Sequence, residues 1–199
     1  MNIVCLDMEG VLTPEIWIAF SEASGIPELR RTTREEPDYD KLMRWRIDLL
    51  KEKGLGLKEI QQVISTIDPL PGAKDFLDEL RRLAPTVILS DTFEEFAAPL
   101  MEKLGQPLLL CNSLEVDGQG IILSHRMRIK DSKLTTVRAF HSIGYDTLAV
   151  GDSFNDIDML RASRAGFLFR TSETVRQAHP DLPAFEDYGG LLSAIRAAL

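Results

Sequence analysis

Asp7 and Glu9 end a short apolar run that begins at Ile3, in the stretch Asp7-Met8-Glu9-Gly10. Ser90 and Asp91 end a second run, Val87-Ile88-Leu89, and Asp152 ends a third, in Gly151-Asp152-Ser153-Phe154-Asn155-Asp156. Lys130 and Lys133 stand just before, or at the start of, a helical pattern. Acids, a hydroxyl, an amide and a lysine make a consistent chemical set. Carboxylates brought to one crevice repel each other unless a cation lies between them, and oxygen ligands suit Mg²⁺. A carboxylate is also a competent nucleophile at phosphorus, since it is already deprotonated at neutral pH. Its difficulty is repulsion from the phosphate dianion. A metal ion, a lysine, a hydroxyl and backbone N–H groups would offset that repulsion. Asp7 fits the nucleophile, with Asp7 and Asp152 as metal ligands; Ser90 and Lys133 fit the groups that hold phosphoryl oxygens. Glu9 is placed to protonate a leaving oxygen and then to deprotonate an incoming water or alcohol, a contribution of roughly 10²–10⁴-fold.

The runs that carry these residues read as buried strands over 3–8, 86–89, 108–111, 147–150 and 165–169. Helical patterns occupy 73–83, 94–104, 132–141, 156–162 and 191–198, and a hairpin over 113–127 turns at Asp117-Gly118-Gln119-Gly120. Apolar strands alternating with amphipathic helices imply a parallel, doubly wound α/β sheet. In such sheets, sites lie outside the carboxyl ends of the strands. One segment breaks the rhythm. Helical patterns over 14–24, 39–51 and 58–66 follow the first strand directly, and Asp68-Pro69-Leu70-Pro71-Gly72 closes them. The expected organisation is a Rossmann-like α/β core from residues 1–13 and 69–199, with a helical cap over 14–68 inserted after the first strand.

The chain has 199 residues, 44% hydrophobic and 27% charged, which fits a globular protein with a real core. A net charge of −8 argues against a nucleic-acid partner held through phosphates, although a local cation can reverse the field at one site. Cys5 and Cys111 each sit in an apolar run and read as small buried hydrophobes. The start, MNIVCLDMEG, lacks the basic region of a signal peptide. No apolar run approaches the roughly 20 residues of a membrane-spanning helix. A cytoplasmic location with no membrane partner is the expectation.

The stretch Asp7-Met8-Glu9-Gly10-Val11-Leu12-Thr13 resembles the first signature of the haloacid dehalogenase-like superfamily. Ser90 resembles its second motif, Lys133 or Lys130 its third, and Gly151–Asp156 its fourth, all in the family order. Lys133 starts the helix better; Lys130 lies nearer the family's usual distance from the fourth motif. Within the superfamily the chain is similar to the phosphoserine phosphatases, and closest to a bacterial form that also transfers the phosphoryl group from phosphoserine to homoserine. That resemblance implies a phospho-aspartate on Asp7, and Mg²⁺ held by Asp7, the Glu9 carbonyl and Asp152. Asp156 would order the waters of the ion. It further implies that Glu15, at the first motif, and Arg46, on a cap helix, recognise the amino-acid end of O-phosphoserine. Ser90, Asp91, Lys133 and Asn155 complete the substrate-facing set. The chain departs from the pattern in two places. Glu9 stands where the superfamily usually has Asp, and the extra methylene fits a bulkier acceptor such as homoserine. Asp91-Thr92 replaces the glycines found after the serine in many relatives.

Each residue also has a plainer reading. Asp7 alone would be a strand-end turn acid, Glu9 a solvated one, and Ser90 or Asn155 with Asp156 a helix cap. Arg44 competes with Arg46. Trp17 and Trp45 read as packing residues, and Trp45 also fits the cap lining. His125, His141 and His179 are isolated. Arg30, Arg31 and Arg34 among Glu35, Glu36 and Asp38 read as a solvated face. Four motifs in order favour the chemical reading. Its alternatives are a phosphatase of the same superfamily for another small phosphomonoester, and a non-catalytic phospho-acceptor or binding module.

Overall fold

A computed structural model describes residues 1–32, 35–36 and 38–199. Strand β1 (Asn2–Leu6) stops just before Asp7 and is followed by three helices, α1 (Ile16–Ser24), α2 (Tyr39–Glu52) and α3 (Leu57–Ser65), with a 3₁₀ turn at Pro27–Arg30. Gly25 ends α1 in the left-handed conformation, as expected of a helix C-cap. The alternating part comprises α4 (Ala73–Leu83), β2 (Thr86–Phe93), α5 (Glu94–Lys103), β3 (Leu109–Val116), β4 (Ile122–Arg126), α6 (Ser132–Ser142), β5 (Asp146–Gly151), α7 (Ile157–Ala162), β6 (Ala165–Phe169), α8 (Glu173–Ala178), β7 (Ala184–Phe185) and α9 (Tyr188–Ala198).

The sheet has seven strands in the order β4-β3-β2-β1-β5-β6-β7, parallel except for the β3–β4 hairpin. Leu6 pairs with Ile88 on one side and Val150 on the other. The residues just beyond these pairs are therefore level with one another, which brings Asp7, Ser90 and Asp152 to one edge. The chain leaves β1 toward β2 and later returns to β5 on its other side. The crevice between β1 and β5 is thus the switch point where such sheets bind ligands.

Alternation along the strands covers both faces. Val4, Leu6, Ile88 and Val150 pack with Phe76 and Leu80 of α4 and Leu191 and Ile195 of α9. Cys5, Val87, Leu89 and Ala149 face Val137 of α6 and Met159 and Leu160 of α7. The first cluster continues without a break into the helical segment through Ile16, Phe20, Met43, Ile47, Ile60 and Ile64. That segment is also tied to the rest of the chain by polar contacts. Gln61 Nε2 donates to the Glu95 carbonyl and Leu57 N to the Gly120 carbonyl, each at 2.8 Å.

Three expectations change. The strand expected over 86–89 continues through Ser90 and Asp91 to Phe93, with a register shift against β3 between Leu89 and Phe93. Thr92 and the buried Phe93 are good strand residues that outweigh the turn signal of Ser90-Asp91. The strand expected at 108–111 and the first arm of the expected hairpin are one element, β3, so the hairpin adds β4 to the parallel sheet as an antiparallel edge strand. The pair α8 and β7 was not expected; each is too short to show a period. Cys5 is buried, whereas Cys111 is only partly so, and both are free thiols. No helix among the described residues is long and apolar enough to cross a membrane.

Candidate active site

Asp7 leaves β1 with its backbone N–H donated to the Val150 carbonyl at 2.9 Å, and its Oδ1 accepts the Met8 N–H at 2.7 Å. Lys133, in the first turn of α6, reaches the same oxygen at 2.9 Å and Asp156 Oδ1 at 2.6 Å. Asp156 Oδ2 in turn accepts the backbone N–H groups of Asp152 and Ser153 at 3.0 and 3.1 Å. One carboxylate oxygen from each of Asp7, Asp152 and Asp156 lies within 4.8 Å of the other two. Two glycines make this possible. Gly10 has φ +78°, and a Cβ there would collide with the Asp152 carboxylate; a Cβ at Gly151 would collide with Asp156.

Burial, Asp156 and Asp152 hold the Asp7 carboxyl well above the usual carboxylate range, against the pull of Lys133. Burial, Asp156 and Glu15 push Asp152 up to about 7. Burial lowers the Lys133 pKa, but Asp7, Asp156 and Asp91 outweigh it and keep the ammonium charged. Asp7 and Asp156 thus share Lys133, while Asp152 has no ion-paired cation among the described residues. Close, hard oxygen donors with excess negative charge fit a divalent cation such as Mg²⁺.

Lys133 is 4% exposed, whereas Lys130 is exposed, so Lys133 is the lysine that the fold brings to Asp7. Ser90 is buried beside the bulge of β2, and its Oγ accepts the Thr92 N–H at 3.2 Å. The Asp91 carboxylate turns toward the site. It accepts from Ser132 Oγ at 2.9 Å and from Asn155 Nδ2 at 3.4 Å, which draws in Asn155 as well.

Glu9 Oε1 accepts the Ile16 N–H at 2.9 Å. Burial and Glu15 push its carboxyl up to about 7, against the Ile16 N–H, Lys133 and Arg46. Glu9, Glu15 and Arg46 line a cavity of about 140 Å³. Arg46 is 4% exposed, and Arg44 is exposed. The Arg46 guanidinium lies over the Trp17 ring, 4.2 Å from its centroid, and Nη2 donates to the Arg31 carbonyl at 2.7 Å. Burial lowers its pKa to about 10, while Tyr39, Glu9 and Glu15 act the other way. Its Nε finds no acceptor, and no carboxylate ion-pairs with it, among the described residues. A buried cation with no carboxylate partner, lining a cavity, suits an anionic ligand group.

Several readings from sequence alone change here. Asp156 joins the carboxylate cluster, beyond ordering waters. Trp17 is the platform under Arg46, beyond packing. Arg31 is only partly solvated, since its guanidinium lies 5.2 Å from the Trp45 centroid; Arg34 falls outside the described residues. His125 pairs with Asp40 at 3.0 Å, His141 bonds Thr147 and His179 bonds Arg161, none of them in a metal cluster. Tyr39 also lines the Arg46 cavity. It was overlooked, although its place seven residues before Arg46 on a helix is the signal for a shared face.

The sheet, its switch point and the acid–lysine cluster define a class. A profile of the haloacid dehalogenase-like hydrolases matches residues 1–164. The chain belongs to that superfamily and, within it, to the phosphoserine phosphatase family. It is 51% identical to phosphoserine phosphatase ThrH of Pseudomonas aeruginosa over 191 residues, covering 96% of this chain and 93% of that one. It is 50% identical to a phosphoserine phosphatase of Pseudomonas syringae pv. tomato, covering 96% and 81%. Among solved folds, a phospho-aspartyl intermediate analogue of phosphoserine phosphatase superposes with a TM-score of 0.75 at 20% identity, covering 96% and 97%.

Proposed function

We propose that this chain is a Mg²⁺-dependent phosphoserine phosphatase of the cytoplasm that works through a phospho-aspartate on Asp7 and also transfers the phosphoryl group to homoserine. The observation that carries the substrate assignment is Arg46, a buried guanidinium that has no carboxylate partner among the described residues and lines a cavity with Glu9 and Glu15. The high identity to two phosphoserine phosphatases supports the same reading.

In this account Arg46 holds the carboxylate of O-phosphoserine, and Glu15 and Asp91 face its ammonium. Ser90, Lys133 and Asn155 hold the phosphoryl oxygens. An Asp7 carboxylate oxygen attacks phosphorus as the bond from phosphorus to the serine oxygen breaks. Glu9 gives its proton to that leaving oxygen, a task suited to an acid pushed up to about 7. Glu9 then takes a proton from water or from the homoserine hydroxyl. The new oxygen bonds to phosphorus and the Asp7 carboxylate is released. Asp7, Asp152 and the Glu9 carbonyl would hold Mg²⁺, with Asp156 beside them, and the bound ion supplies positive charge to the phosphoryl oxygens. Residues 14–68 act as a cap that excludes bulk water and lets an alcohol compete for the intermediate.

The test is turnover of O-phosphoserine against a panel of phosphomonoesters that lack an amino-acid group, with and without homoserine. Selective phosphate release, diverted to phosphohomoserine when homoserine is added, is the expected result. Release without diversion would leave a phosphatase alone. Preference for another phosphomonoester would overturn the substrate assignment.

A further inference from the structure

Two cavities meet at the site. The smaller, of about 140 Å³, contains Arg46, Glu9 and Glu15, and the larger, of about 810 Å³, contains Lys133 and Asn155. Tyr39 and Asp91 line both, so together they form the wall between them. Asp91 is pinned by Ser132 and Asn155. Tyr39 opens α2, two turns before Arg46, on the same face of the helix. Its ring meets the His125 ring edge-on, with centroids 5.9 Å apart at 85°. His125 bonds Asp40 at 3.0 Å and also meets the Phe93 ring, with centroids 6.1 Å apart. The β3–β4 hairpin therefore fixes the start of α2, and with it the Tyr39 ring, against the core. Burial and the charges of Asp91, Glu9 and Asp40 raise the Tyr39 pKa, while Arg46 opposes them, as expected of a phenol set among the groups of the inner pocket.

We propose that Tyr39 is a specificity-determining residue: its ring divides the amino-acid pocket from the larger cleft and sets whether water or an alcohol captures the phospho-aspartate. This rests on the phospho-aspartate reading above. With an amino acid in it, an inner pocket of about 140 Å³ leaves little room for water. With the wall intact, a serine or a second amino-acid alcohol in the pocket is well placed to attack: its oxygen bonds to phosphorus, the bond to Asp7 breaks, and its proton passes to Glu9. With the wall removed, the two cavities merge and water competes at the same position.

The experiment follows phosphate release from O-phosphoserine together with exchange of isotope-labelled serine into O-phosphoserine, since serine is the alcohol that the first step releases. The wild-type enzyme should do both. Whatever its absolute turnover, Tyr39→Ala should show an exchange-to-hydrolysis ratio lower by about fivefold or more, whereas Tyr39→Phe should stay within about twofold of the wild-type ratio. His125→Ala leaves the phenol in place but frees its support, and should give an intermediate fall. It carries the test if Tyr39→Ala does not fold, as judged by thermal melting. An unchanged ratio in a turnover-competent Tyr39→Ala or His125→Ala enzyme would overturn the proposal. Wild-type hydrolysis with no exchange would overturn it too, while sparing the phosphatase reading. Absence of both wild-type reactions would remove the phosphoserine reading and the proposal together.

Discussion

Glu9 accepts the backbone N–H of Ile16 at 2.9 Å, so the acid two residues after Asp7 also caps helix α1 from seven residues away. Glu15, which precedes the helix, makes no side-chain cap of its own. The first helix of the inserted segment is thus attached to the residue assigned to proton transfer. The two roles of Glu9 make separable predictions.

Glu9→Gln retains an oxygen that can accept from Ile16 but loses the acid. Turnover should fall roughly 10²–10⁴-fold with a nearly unchanged melting temperature. Glu9→Ala should lose the same activity and, in addition, about 1 kcal/mol of capping, a drop of about 2–4 °C for a chain of this size. Steady-state kinetics and thermal melts of the two variants check this. An active Glu9→Gln enzyme would exclude the proton-transfer role.

Arg46 should govern the amino-acid end of the substrate. Charged hydrogen bonds are worth about 1.5–3 kcal/mol, so Arg46→Ala should lower kcat/KM for O-phosphoserine by roughly 10- to 150-fold. A small aryl phosphate, which has no carboxylate, should change by less than about threefold. Arg46→Lys keeps the charge but not the planar fork, and should recover only part of the loss. Equal losses on both substrates would place Arg46 in the fold rather than in recognition.

Lys133 is held between Asp7 and Asp156, and both acids would be left facing each other without it. Lys133→Met should abolish turnover and cost about 3–5 kcal/mol, or roughly 10 °C in melting temperature. Mg²⁺ should stabilise the wild type by about 2.7 kcal/mol at a hundred times its dissociation constant, a rise of roughly 5–10 °C. A chelator should reverse that rise, and Asp152→Asn should abolish it. Melting curves with and without Mg²⁺ test all three points.

Much of the site was legible because its residues stand where apolar runs stop. Asp7 and Asp152 follow two strands whose composition marks them as buried, Ser90 follows the apolar run Val87-Ile88-Leu89 within a third, and parallel pairing brings the three level. What depends on tertiary packing was not legible. Asp91 belongs to the substrate-facing set read from the sequence, but the direction of its side chain is set by the fold, which turns its carboxylate toward Ser132 and Asn155. The choice between Lys130 and Lys133 needed the first turn of α6, where only Lys133 is buried. Trp17 reads as a packing residue, because nothing in its spacing shows that it lies under an arginine on another helix. The α8–β7 connection escaped notice because six- and two-residue elements carry too little pattern.

Asp7 is assigned to carry the phosphoryl group. The most direct measurement is acid quenching of the enzyme during turnover of O-phosphoserine, followed by proteolysis and mass spectrometry of the peptide that contains Asp7. The account predicts one added phosphoryl group on that peptide, located at Asp7, lost on base treatment and absent from Asp7→Asn. Robust turnover with no trapped phosphoryl group, or one located on another residue, would contradict it.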